Sequence, residues 1–136
     1  MNVVDSSGWL EYFAGGRNAS HFATPLKDSD SLIVPAVSIY EVFKVLLREA
    51  GEDAALEGAS AMQRGHVVDL TSQIAMSAAS LSLEHSLPMA DSIILASAKA
   101  HEAVVWTQDI DFKGLANVKY FPKRKRPTPI KSRVAR

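Results

Sequence analysis

The stretch from Leu87 to Phe112, LPMADSIILASAKAHEAVVWTQDIDF, constrains this chain more than any other. Pro88-Met89-Ala90-Asp91 reads as a helix start, and an Ala-rich, largely apolar helix body follows to about Ala100. The run Ala103-Val104-Val105-Trp106 then reads as a strand that closes in Thr107-Gln108-Asp109-Ile110-Asp111-Phe112. A helix leading directly into a short apolar strand calls for a sheet with helices packed on it. One carboxylate thus stands at a helix N-terminus and two more just past the C-terminal end of a strand, where open α/β sheets build their sites. The other segments matter first for whether they bring further carboxylates to the same edge.

They do so in order along the chain. Asn2-Val3-Val4-Asp5 is an apolar run closing on an acid, and Ser6 or Ser7 is the expected cap of the helix that follows, with Trp9, Leu10, Tyr12 and Phe13 on its apolar side and Gly15-Gly16 as its stop. Asn18 is placed to cap a second short helix, and Asp28 to Ser31 is a turn. Leu32-Ile33-Val34 is a second strand, ended by Pro35. The helix from about Val37 to Arg48 is apolar nearly all round, which marks it as buried or as an interface helix; Glu41 sits in its first turns, with Lys44 and Arg48 on the same side. A weaker helix at Asp53 to Gln63, a strand at His66 to Leu70, a helix from Gln73 to Glu84 capped by Thr71 or Ser72, and a last strand at Asn117 to Phe121 complete the pattern. Strands alternating with helices predict an α/β fold with a parallel sheet covered on both faces.

The 136 residues are enough for one domain with a self-sufficient core. With no cysteine, disulfides and thiolate metal sites are excluded, and the composition fits a reducing, cytoplasmic setting. The chain begins with a strand, so no signal peptide is expected, and no apolar run approaches the ~18 residues of a membrane span. The net charge of zero hides an asymmetry. Seven of the 15 Lys and Arg lie between Lys123 and Arg136, where there is no acid; the other eight face all 15 acids in 1–122, a body at −7 and a tail at +7. The domain is therefore expected at 1–121 and a basic, flexible tail at 122–136, solvated or suited to a polyanion.

Asp5, Glu41, Asp91, Asp109 and Asp111 all fall where a parallel sheet can gather them on one edge. Each has a plainer reading: a helix cap for Asp5, a pairing with Lys44 for Glu41, the helix dipole for Asp91, and turn formation for Asp109 and Asp111. Gathered together they repel and raise one another's pKa, a cost that a hard divalent cation with oxygen ligands removes. Such a cation, Mg²⁺ or Mn²⁺, suits phosphodiester hydrolysis. The four histidines show no ligand spacing, and no dinucleotide fingerprint, P-loop or nucleophile elbow occurs. Asp5 is followed by Ser6-Ser7, against a phosphatase nucleophile. Trp9, Tyr12, Phe13 and Phe43 read as core, with part of the set able to form a groove for a partner peptide.

The segments VVDSSGWLEYF, PAVSIYEVFKVLL, LPMADSIILASA and VWTQDIDFKGL, in that order, resemble the PIN domain and, more narrowly, the VapC toxins of bacterial and archaeal toxin–antitoxin pairs. The resemblance covers about residues 1–121 and implies a three-layer α/β/α sandwich around a parallel sheet of four to five strands. It implies an Mg²⁺- or Mn²⁺-dependent endoribonuclease acting on tRNA or rRNA and leaving a 3′ hydroxyl and a 5′ phosphate. By the same resemblance Asp5, Glu41, Asp91 and Asp109 are the catalytic, metal-binding acids, Asp111 is a further acid of the motif, and Ser6 and Thr107 orient ligands or waters. A VapB-like antitoxin and a homodimer are implied as partners, with no membrane involved. The rival is a non-catalytic PIN-like module that binds RNA or protein; a degenerate copy of that kind is expected to have lost some of these acids.

Overall fold

The computed structural model describes residues 1–124. The expectation for a basic tail at 122–136 lies outside the described residues from Lys125 onward; Pro122 to Arg124 are in neither helix nor strand. Five strands form one sheet: β1 (Asn2–Val4), β2 (Leu32–Pro35), β3 (His66–Val68), β4 (Val104–Thr107) and β5 (Val118–Tyr120). Their order is β3-β2-β1-β4-β5 and every pairing is parallel. Six helices flank it: α1 (Ser6–Ala14), α2 (Ala19–Leu26), α3 (Ala36–Ala50), α4 (Glu52–Met62), α5 (Ser72–His85) and α6 (Met89–Ala100). This is the expected α/β/α arrangement, with five strands.

The period-2 alternation of the strands divides the core in two. Val3, Ile33 and Val105 point to one face, where they pack with Ile74, Leu81 and Ile94 of α5 and α6. Val4, Leu32 and Val34 point to the other, against Trp9, Phe22, Val42 and Met62 of α1 to α4. Helix α6 is buried without a break from Ser92 to Ala98, its Ser and Ala side chains letting the backbone lie close to the sheet. Ser92 and Ser97 satisfy their hydroxyls within the helix by donating to the carbonyls of Met89 and Ile93. Among the described residues no helix is long and apolar enough to cross a membrane.

Several expected boundaries move. The cap of α1 is Asp5, whose side chain accepts from the Gly8 N–H, and neither Ser6 nor Ser7. Asn18 precedes α2 but its side chain makes no capping bond. The turn at Asp28 to Ser31 contains a 3₁₀ turn at Ser29–Ser31, Pro35 closes β2 from inside the strand, and β3 stops at Val68, short of Leu70. Gly15 ends α1 as anticipated: at φ 64° it turns its N–H back to the carbonyls of Glu11 and Tyr12, a left-handed conformation natural to glycine. Helix α3 is less buried than its composition suggested. Ser38 and Val42 are enclosed, but Tyr40 is 63% exposed.

Candidate metal centre

All five strands point their C-terminal ends to the same edge, because every pairing is parallel. Asp5 follows β1, Asp109 and Asp111 follow β4, Glu41 lies in the second turn of α3 after β2, and Asp91 lies in the first turn of α6. The topology thus delivers all five predicted acids to one side of the sheet.

Three of them meet. Asp91, Asp109 and Asp111 each offer an oxygen, and these oxygens lie within 4.8 Å of one another. Asp5 and Glu41 are not part of that trio. Asp5 is 2% exposed and held from three directions: both carboxylate oxygens accept from Ser7 Oγ at 2.8 and 2.9 Å, Oδ1 accepts from the Gly8 N–H at 3.0 Å, and Oδ2 accepts from Thr107 Oγ1 at 2.8 Å. The Thr107 hydroxyl in turn accepts from the Asp109 N–H at 2.8 Å, so one buried oxygen spaces Asp5 against Asp109. Asp109 then accepts from the Asp111 N–H at 2.9 Å and opens a 3₁₀ turn at Ile110–Phe112. Glu41 accepts from Ser6 Oγ at 2.6 Å, which links it to the residue beside Asp5. The i+3 pairing of Glu41 with Lys44 is absent among the described ion pairs; the Lys44 ammonium sits 5.6 Å from the Tyr40 ring centre instead.

The electrostatics follow from this packing. Burial pushes the Asp5 carboxyl up to about 6, although the bonds from Ser7, Thr107 and Gly8 pull it down. Asp91 is pushed up to about 8, first by burial, then by the charge of Asp109 and a hydrogen bond with it, then by Asp5 and Asp111. Among the described residues the ion pairs are Arg48–Glu49 and His85–Glu84, so no basic side chain is paired with these acids. An all-oxygen donor set of crowded, unpaired carboxylates fits a hard divalent cation.

Three contributors escaped the sequence. Ser7 donates to Asp5 and also accepts weakly from the Gln108 N–H at 3.4 Å. Gln108 accepts from Asn18 Nδ2 at 3.0 Å, and the same amide donates to the Pro122 carbonyl at 2.9 Å. The position of Ser7 two residues after Asp5 was a readable signal, obscured by its alternative as a helix cap. Asn18 and Gln108 are 90 residues apart, and nothing local announces their contact.

A family model for the PIN domain matches residues 3–118. No match was found among curated proteins. Among solved structures, a toxin–antitoxin complex from Klebsiella pneumoniae superposes with a TM-score of 0.77 at 20% identity, covering 90% of this chain and 100% of that one. VapC20 of Mycobacterium tuberculosis, described as a sarcin-ricin loop cleaving toxin, gives 0.69 at 17% identity, covering 87% and 98%. VapBC2 of Rickettsia felis, bound to a DNA fragment from its promoter, gives 0.69 at 12% identity, covering 89% and 97%. At these identities the likeness is one of fold.

Proposed function

The chain belongs to the PIN domain family, and from that premise we propose that it is a VapC-type toxin: an Mg²⁺- or Mn²⁺-dependent endoribonuclease that hydrolyses RNA phosphodiester bonds. The observation that carries the reading is the trio Asp91, Asp109 and Asp111, whose oxygens lie within 4.8 Å of one another beside the buried Asp5. In this reading Asp5, Glu41, Asp91, Asp109 and Asp111 hold the cation. When bound, the cation neutralises the acids, acidifies water and offsets the charge that develops on phosphate.

The chain's own residues do the rest. Thr107 fixes the spacing of Asp5 and Asp109 through one hydroxyl, and Ser7 and Gly8 orient Asp5. Ser6 orients Glu41. Asp91, pushed up to about 8, would give up its proton in order to hold a cation, so uptake of the ion would be accompanied by proton release. The substrate is a tRNA or rRNA, a choice supported by the description of VapC20 as cleaving the sarcin-ricin loop. A VapB-like antitoxin restrains the enzyme, as the toxin–antitoxin complexes among its structural neighbours suggest, and the toxin works as a homodimer in the cytoplasm.

Asp91→Asn tests the assignment, since Asn keeps the shape and removes the charge. Purified wild type is expected to cleave RNA only with Mg²⁺ or Mn²⁺, and the variant to stay folded and inactive. Cleavage by the variant at the wild-type rate overturns the role of Asp91. A wild type that binds RNA without cutting it favours the non-catalytic module instead.

A further inference from the structure

The ring of His21 ends an aromatic ladder that runs out of the core at the carboxylate edge. Strand β5 runs parallel to β4 and reaches that edge, where the Phe121 N–H donates to the Thr107 carbonyl at 2.8 Å. Thr107 is the residue that spaces Asp5 against Asp109. The half-buried Phe121 ring stacks on Trp106, with ring centres 6.0 Å apart, and packs edge-on against the buried Phe22. On Phe121 lies His21, its ring centre 4.5 Å away and its plane within 10° of parallel. His21 itself is exposed. Its backbone is fixed as well as its ring. The His21 N–H donates to the Asn18 carbonyl at 3.0 Å, and the side chain of Asn18, only 1% exposed, donates to Gln108 beside Asp109 and to the Pro122 carbonyl. The residues that place Asp109 therefore also place His21.

We propose that His21 is a base-stacking residue: an unpaired base of the RNA, flanking the phosphate that is cut, lies on its imidazole ring. The proposal rests on the RNA-cleaving reading above and adds a source of substrate affinity. Every base has a π face, so stacking on a ring holds single-stranded RNA with little regard to sequence. A stack draws on no charge, which suits an edge crowded with carboxylates. The ring is already held flat against Phe121, so little side-chain freedom is left to lose when a base arrives. No acid is paired with His21 among the described ion pairs, and the segments that carry His21 and Phe121, 16–22 and 117–122, contain Arg17 and Lys119 but no Asp or Glu. Lys119 closes the far end of the ladder, its ammonium 4.3 Å from the Trp106 ring centre.

The test uses the full-length chain carrying Asp91→Asn as parent, alone and with His21→Ala or His21→Phe. Affinity is measured in Mg²⁺ across a salt series for a short single-stranded RNA and for copies in which one nucleotide at a time is made abasic. Removing one base–ring stack weakens binding by roughly 5- to 150-fold, so His21→Ala should show a loss in that range and His21→Phe should stay near the parent. The slope of log affinity against log salt should be the same in all three, since a stack releases no counterions. An abasic nucleotide at the stacked position should cost the parent as much as His21→Ala does, and cost the His21→Ala chain nothing further. Equal affinity of the parent and His21→Ala overturns the proposal. So does a slope shallower by about 0.7 in both variants, which gives His21 a phosphate contact instead. A loss in His21→Phe as large as in His21→Ala, at unchanged slope, overturns it too, and leaves His21 as a support for Phe121. RNA cleavage by the unmodified chain is measured in parallel. Neither cleavage nor binding overturns the nuclease reading and the stack with it, whereas cleavage beside an unaffected His21→Ala chain overturns the stack alone.

Discussion

Replacing Thr107 by Val keeps the branched shape and removes one hydroxyl from a fully buried position. That hydroxyl donates to Asp5 and accepts from the Asp109 N–H, each at 2.8 Å. The variant leaves the amide unpaired at any pH. The loss at Asp5 depends on its charge. A hydrogen bond between neutral groups contributes about 1 kcal/mol net, and one to a charged group about 1.5–3 kcal/mol. Asp5 titrates at about 6, so at pH 5 the smaller figure applies and at pH 8 the larger. The sign is fixed by linkage: removing a donor to the carboxylate raises its folded pKa further, so the variant's deficit grows as pH rises through about 6. Urea unfolding of both proteins in EDTA, with equal m values, should show a deficit larger by about 1 kcal/mol at pH 8 than at pH 5. In Mg²⁺ the variant should lose roughly 10- to 100-fold in RNA cleavage, the usual cost of removing a residue that orients a ligand. A deficit equal at the two pH values, or smaller at pH 8, refutes the coupling of Thr107 to an ionised Asp5.

Three further outcomes follow from the same geometry. Mn²⁺ should raise the thermal midpoint, by the equivalent of about 2.7 kcal/mol at ~100-fold above its dissociation constant, and much less in the double variant Asp5→Asn, Asp91→Asn; equal shifts place the ion elsewhere. Metal-free wild type should lose stability as pH rises from about 4 to about 8, because Asp5 and Asp91 hold protons in the folded state that they release when unfolded; Asp5 accounts for on the order of 2 kcal/mol between pH 4 and 6, and a flat denaturation profile over that range removes its buried carboxyl as the cause. Gly8→Ala should destabilise by about 1–3 kcal/mol, since a Cβ there meets Val4 Cγ1 at 2.6 Å and the Phe22 ring at 2.9 Å, and a midpoint in urea equal to wild type contradicts that packing.

What the sequence revealed is what local pattern encodes. Val3 and Val4, or Ile33 and Val34, alternate between two cores, and that alternation with intervening helices is visible as a parallel sheet before any coordinate is known. All five acids reach the predicted edge for the same reason, since parallel strands share one C-terminal side. What stayed hidden depends on partners remote in sequence. Glu41 looked matched to Lys44 by helical spacing, yet Ser6, 35 residues away, takes its oxygen. Asp5 looked like one of three competing caps, because Asp, Ser and Ser all suit that role; only the buried Thr107 and Ser7 hydroxyls on its other sides decide it. The apolar surround of α3 says that something covers it but not how much the chain's own fold supplies, and Tyr40 is left outside.

The two ways the acids are held explain why the site belongs to the fold and yet strains it. Asp5 is buried at a cost, but the first turn of α1 and the end of β4 aim three donors at it, and the same bonds fasten α1 to the sheet. Its carboxyl consequently stops at about 6. Every influence on Asp91 works in the opposite direction: burial, Asp109, Asp5 and Asp111 all raise it, to about 8. A protein selected for stability alone would place a neutral amide or an apolar side chain at Asp91, since each crowded carboxylate destabilises the folded state at neutral pH. The acids converging at Asp91, Asp109 and Asp111 have no basic side chain paired with them among the described residues, and the hydroxyl donors are concentrated on Asp5. The fold therefore satisfies the acid that organises the edge and leaves the trio beside it without such donors, the arrangement that the proposed metal-dependent hydrolysis calls for.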